Sequence, residues 1–181
     1  MKKFLFTILM VITLTGCSLG NMENTPTQRV EDYLSKYQRL DNSVLEDLDT
    51  TLMGEESLTD DERDDYKEFM KKHYQDLEYE IKDETVDGDN ATVTAEITVR
   101  DYTNAISTAD NYKTNNEDKF SDDSGNYDPT LFSSYRLEEL KKVTEKTTYT
   151  ITFTLIKQDG KWKLNQLSDE DLNKINGLYA G

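Results

Sequence analysis

At 181 residues, with 37 acidic against 21 basic side chains, the chain carries a formal charge of -16 at neutral pH. Phosphate binding needs a basic stripe, and none is visible, so the composition excludes nucleic acid as a partner. An anionic membrane surface would repel the chain as well, so attachment to a membrane has to be covalent rather than electrostatic.

Met1-Lys2-Lys3 is a positive n-region and Phe4 to Leu14 an apolar stretch, which together read as an export signal. The stretch is about ten residues, too short for the roughly 20 that cross a bilayer. It ends in Leu14-Thr15-Gly16-Cys17, which resembles the lipobox of bacterial lipoproteins, where a branched residue and two small ones precede an obligatory cysteine. The resemblance implies that the Cys17 thiol receives a diacylglycerol, that residues 1–16 are removed, and that Cys17 becomes the lipidated N-terminus. Two acyl chains make a stable anchor where one holds a protein only marginally. Cys17 is the single cysteine, so the fold makes no disulfide and rests on its core alone. Loss of Lys2 and Lys3 with the leader takes the charge from -16 to -18. The lipidated cysteine and a polar tether fill 17–24, and one domain runs from 25 to 181, long enough for a real core.

Thr25-Pro26-Thr27-Gln28 reads as a capping box with proline at the first helical position. Val30, Tyr33, Leu34 and Tyr37 then share one helical face. After Asp41-Asn42, Ser43 with Glu46 makes a second box ahead of Val44, Leu45, Leu48 and Leu52, and Gly54 closes that helix. Thr59 with Glu62 opens a third helix, whose apolar face is Tyr66, Phe69, Met70 and Tyr74.

At Leu77 the period changes from 3.6 to 2. Leu77, Tyr79 and Ile81 alternate with charged residues, Asp87-Gly88-Asp89-Asn90 turns, and Ala91, Val93, Ala95, Ile97 and Val99 alternate with Thr92, Thr94, Glu96, Thr98 and Arg100. The pattern returns late, where Tyr149, Ile151, Phe153 and Leu155 alternate with threonines, Asp159-Gly160 turns, and Trp162 and Leu164 follow. These are two hairpins, each with one wet face. Between them lie a weak helical face at Ala105, Ile106, Ala109 and Tyr112, a polar loop, and a helix opened by Asp128-Pro129. Whether 101–126 is helix or a mobile lid is left open by its pattern. Ser168 caps a last short helix, stopped at Gly177.

Helices first, then two antiparallel hairpins separated by a helical crossing, is an α+β pattern, with the N-terminal helices packed on a curved antiparallel sheet of about four strands. On "TPTQRVEDYLSKYQRLD", "ATVTAEITVRDYTNAI" and "YTITFTLIKQDGKWKLNQL", together with the lipobox, the chain resembles the nuclear transport factor-like (cystatin-like, cone-fold) superfamily, and within it small exported lipoproteins of low-GC Gram-positive bacteria. The resemblance implies a cone-shaped pocket, used by some members for catalysis and by many for binding alone. Members with isomerase or dehydratase activity rely on an aspartate or histidine at the base of the cone, and no such motif aligns here. Fold therefore fixes no function.

Side-chain chemistry is sparse. His73 is the only histidine, which excludes paired-histidine zinc sites. Its place near a helix end, beside Lys71 and Lys72, suits a structural or surface role as a dipole-complementing cation. The acidic run Asp118 to Asp128 has its glycine misplaced for an EF-hand and reads as a solvated loop. No catalytic residue, metal or cofactor is assigned. Tyr79, Tyr102, Tyr112, Tyr149, Phe153 and Trp162 are the candidate pocket lining, aromatic bodies with a few polar tips.

The reading expected from these residues is a non-catalytic lipoprotein on the extracytoplasmic face of the cell membrane, lipid-anchored at Cys17, binding a small ligand, a peptide or an envelope protein. The first alternative is an isomerase or hydrolase of the same superfamily with Asp101, Tyr102 or His73 in the pocket. The second is an assembly subunit, pairing with another copy through the threonine-rich face of its sheet.

Overall fold

Helix caps organise the first third of the domain, as the sequence requires. The computed structural model describes residues 24–180, so the export signal, the lipobox with Cys17 and the tether through residue 23 lie outside the described residues. Helix α1 (Pro26–Arg39) starts at Thr25, whose side chain accepts the Gln28 backbone N–H. It ends without a glycine: Leu40 takes a left-handed conformation, φ 55°, while its N–H and that of Asp41 donate to the carbonyls of Tyr37 and Lys36. Helix α2 (Asn42–Met53) begins two residues earlier than expected. Asp41 stands at its N-cap with no side-chain capping bond, so the Ser43–Glu46 box does not form; both residues already lie inside the helix. In α3 (Asp60–Gln75) both halves of the Thr59–Glu62 box are present.

The two hairpins form one open sheet, β1 (Glu78–Asp87), β2 (Asn90–Arg100), β3 (Lys146–Gln158) and β4 (Lys161–Leu164), antiparallel throughout and ordered β1-β2-β3-β4. Register puts Ala91 opposite Leu155, Val93 opposite Phe153 and Ala95 opposite Ile151, so one face of the central pair is continuously apolar. The other face carries threonines, with Thr98 and Thr148 hydrogen-bonded across it at 2.8 Å. β1 runs five residues beyond its expected alternation, through a register slip between Ile81 and Asp83. Past that slip its side chains are exposed, so the ladder with β2 rather than apolar alternation keeps it a strand.

Helix α1 lies against the apolar face, bringing Val30 and Leu34 into a core with Val93, Ala95, Ile97, Ile151, Phe153, Trp162 and Ile175. A second cluster, Val44, Leu48, Leu52, Leu58 and Tyr74, joins α2 to α3. The crossing between β2 and β3 is helical: α4 (Thr103–Asn115), a 3-10 turn at Glu117–Phe120, then α5 (Pro129–Lys141), with a small core of Ala109, Phe120 and Phe132.

The chain closes with α6 (Asp169–Ile175), capped at Ser168. Beyond it Gly177 sits at φ +69°, its N–H on the Lys174 carbonyl, and the Leu178 N–H reaches the Asn173 carbonyl at 2.8 Å. That pair of bonds is a Schellman stop. The turn is also a clasp: the Gly177 carbonyl accepts the Tyr102 N–H, the Tyr74 hydroxyl donates to Asn176, and the His73 ring bonds the Ile175 carbonyl. At the other end, the Asn24 side-chain oxygen accepts the Trp162 N–H at 2.6 Å, so the last residue of the expected tether is docked on the sheet edge.

Candidate binding clefts

Amphipathic α2 and α3 turn their apolar faces to each other, and α5 and α6 stand beside them. The result is a cleft of about 610 Å³ between α2, the α2–α3 loop, α3, α5 and α6. Its lining includes Tyr37, Tyr66, Met70 and Tyr74, with Val44, Leu48 and Leu52 on the α2 side and Leu172 and Leu178 on the α6 side. The polar lining is Asp47, Thr50, Thr51, Glu55 and Ser57 from α2 and the loop after it, Arg136 from α5, and Asn176 at the end of α6. The tyrosines are interlocked. Tyr33 and Tyr37 hydroxyls are 3.1 Å apart, Tyr37 meets Tyr74 edge-on with centroids at 5.1 Å, and the Tyr66 hydroxyl donates to the Ser133 carbonyl. Burial, reinforced by neighbouring phenols and the Asp47 carboxylate, pushes the Tyr33 and Tyr74 hydroxyls well above the usual tyrosine range, so both stay neutral donors.

A smaller cleft, about 380 Å³, lies between α3, the end of β2 and the end of α5. Phe69, His73, Tyr102, Leu140 and Val143 form its apolar part, and Asp65, Glu68, Lys72, Arg100 and Lys141 its charged part. Arg100 is committed to Asp76 at 2.9 Å and to the Val143 carbonyl, and Lys141 to Asp65 and Glu138. Burial pushes the Tyr102 hydroxyl up to about 12.

His73 is no surface cation. Only 2% of it is exposed, and Nε2 lies 2.8 Å from the Ile175 carbonyl, to which it must donate. Nδ1 is buried with no hydrogen-bond partner among the described residues. Burial lowers its pKa, the Ile175 bond works against that shift, and the Arg100 charge adds to it. A depressed value means that the unfolded chain binds the proton more readily than the fold does. The stabilising effect of this group is complete above the unfolded value of about 6.5 and is lost as pH falls below it. Scanning calorimetry from pH 7 to pH 5 is expected to show a falling Tm, with a shallower fall in His73→Gln; parallel profiles would place the acid sensitivity in other groups.

The aromatic residues expected to line one pocket are spread over the fold. Phe153 and Trp162 are in the sheet core, Tyr79 and Tyr149 pack at its rim, and Tyr112 belongs to the α4–α5 cluster, stacked on Tyr135 at 4.8 Å. Tyr102 lines the smaller cleft, beside His73 with ring centroids at 5.2 Å. Helix α1 packs on the apolar face of the sheet, its Tyr33 meeting Phe153 edge-on at 6.1 Å. Asp101 turns its carboxylate to the Thr103 N–H at the start of α4. In the acidic loop, Asp122 accepts from the Ser124 and Asn126 N–H groups and Asp128 caps α5. Among the described residues no cluster of three or more His, Cys, Asp or Glu converges to hold a metal. The larger cleft was not foreseen. Its signal was present on α3, whose apolar face supplies Tyr66, Met70 and Tyr74 to the lining.

Residues 1–18 match the family model described as the prokaryotic membrane lipoprotein lipid attachment site. That span includes Cys17, so the chain carries the lipid-attachment motif of a membrane-anchored lipoprotein. No curated protein matches the chain in sequence. Among solved structures it is similar to a candidate lipoprotein, ycdA, from Bacillus subtilis, with 14% identity and a TM-score of 0.41, over 86% of this chain and 47% of that one. This chain thus spans about half the length of that protein. No helix among the described residues is long and apolar enough to cross a membrane.

Proposed function

We propose that this is a non-catalytic lipoprotein, anchored through a diacylated Cys17 on the extracytoplasmic face, whose domain binds a small apolar-bodied ligand in the cleft between α2, α3 and α6. The observation that carries the reading is that cleft. About 610 Å³, with aliphatic, methionine and tyrosine walls together with polar groups, is the size and chemistry of a ligand site. A binding role without catalysis draws support from His73, the only histidine, whose Nδ1 is shut off from solvent and whose Nε2 is spent on the Ile175 carbonyl. Kinship with the nuclear transport factor-like superfamily belongs to the same proposal, and the order of three helices, hairpin, helical crossing and hairpin supports it.

Thr51 lines the cleft from the exposed side of α2, so Thr51→Trp fills the space without entering the core. Native mass spectrometry of the protein purified from its own host is expected to show a small molecule retained at one per chain, and at least tenfold less of it in the variant. Equal retention in the variant would move the site elsewhere. A bare chain would overturn small-ligand binding.

A further inference from the structure

The larger cleft is lined by charges of both signs, Asp47 from α2, Glu55 from the loop after it, and Arg136 from α5. Arg136 comes from α5, one turn on from Ser133, whose carbonyl holds the Tyr66 hydroxyl. The chain has five arginines, and Arg29, Arg39, Arg63 and Arg100 each pair with a carboxylate. Arg136 alone makes no ion pair among the described residues, in a chain with a large surplus of acid; its guanidinium lies 5.8 Å from the Phe132 ring centroid and lines the cleft. Asp47 comes from α2, and its carboxylate is close enough to Tyr37 and Tyr74 to raise both phenols. It likewise has no ion pair or side-chain hydrogen bond among the described residues. The apolar lining of the same cleft includes Leu48, Leu52, Met70 and Tyr66.

We infer, building on the reading of this cleft as the ligand site, that its ligand is a short apolar peptide with both termini free, its carboxylate on Arg136 and its ammonium between Asp47 and the Tyr37–Tyr74 pair. A guanidinium presents paired donors that match a carboxylate, which a lone lysine would not. A carboxylate beside phenol hydroxyls suits an ammonium, by charge and by hydrogen bonding. An apolar anion such as a fatty acid would satisfy Arg136 but bring nothing to Asp47. An apolar amine would do the reverse.

The test is calorimetric titration of the full-length protein in lipid nanodiscs, with empty nanodiscs subtracted, against Leu-Leu-Leu, its N-acetyl form, its C-terminal amide and the doubly capped peptide. The free tripeptide is expected to bind one per chain, and each cap to weaken binding at least tenfold. In Arg136→Gln the amide and the free acid should bind alike, and in Asp47→Asn the acetylated and free amines should bind alike, while the other cap keeps its effect in each. That crossed pattern is what loss of folding could not produce. Equal binding of the free and doubly capped peptides would overturn the inference and leave the apolar cleft standing. Binding by none of the four would overturn it too, and the host-derived ligand seen or not seen by native mass spectrometry then decides the cleft separately.

Discussion

Gly177→Ala is expected to lower the stability of the protein by about 3 kcal/mol or more, read as a lower urea midpoint with the slope unchanged. Two effects combine there. At φ +69° any Cβ suffers the left-handed penalty of roughly 1 to 2 kcal/mol. A Cβ at this position would also stand 2.1 Å from the Arg100 carbonyl oxygen and 3.1 Å from the Tyr102 ring, and neither can move freely. Arg100 is the last residue of β2, paired with Lys146, and Tyr102 is buried with its N–H on the Gly177 carbonyl. Relief therefore requires the clasp to lift off, with the loss of the bonds from His73 and Tyr74. Gly125→Ala provides the comparison. It has a similar backbone, φ +81°, with nothing within 4 Å of the added methyl, so it should cost only the left-handed penalty. Equal losses in the two variants would show that the contact with β2 contributes nothing.

Phe153→Ala is the second large effect, a loss of about 3 to 5 kcal/mol against a total stability of about 5 to 15 for a domain of this kind. Phe153 is 1% exposed, lies opposite Val93 in the central strand pair, and meets the Tyr33 ring of α1 edge-on. Removing it opens a cavity where helix and sheet join, and the rigid ladder on either side cannot collapse into it. Chemical denaturation should register the full loss, and Phe153→Leu a smaller one. An alanine variant within 1 kcal/mol of the parent would contradict the placement of the core between α1 and the β2–β3 pair.

The core was legible because strands alternate with period 2. Ala91 through Val99 and Ile151 through Leu155 point inward as their pattern required, and the α+β order of elements follows. Thr25, Thr59, Asp128 and Ser168 cap helices because each brings an oxygen to a free backbone N–H. Ser43 had the same chemistry and did not cap, because the α1 stop at Leu40 delivers the chain to helix two residues too soon. Left-handed Leu40 could not be read, since local sequence favours glycine there and only tertiary packing holds a leucine. Aromatic residues were legible as buried or half-buried but not as a site. Pocket lining depends on how distant elements meet: α1 covers the apolar face of the sheet, while the cleft gathers residues of α2, α3, α5 and α6 that no single stretch of sequence brings together.

Docking of Asn24 on Trp162 fixes where the leash ends. From Cys17 to Asn24 are seven steps of chain, at most about 25 Å when drawn straight. Ions at physiological strength damp a charge within about 8 Å, so the leash can reach about three screening lengths. For a chain of charge -16, that distance matters. Within one screening length of an anionic leaflet the domain would be pushed outward against its own anchor. At full reach it no longer feels the surface. Cutting the leash to two or three residues would bring the acidic domain back inside the membrane's field, a strain that added salt would relieve.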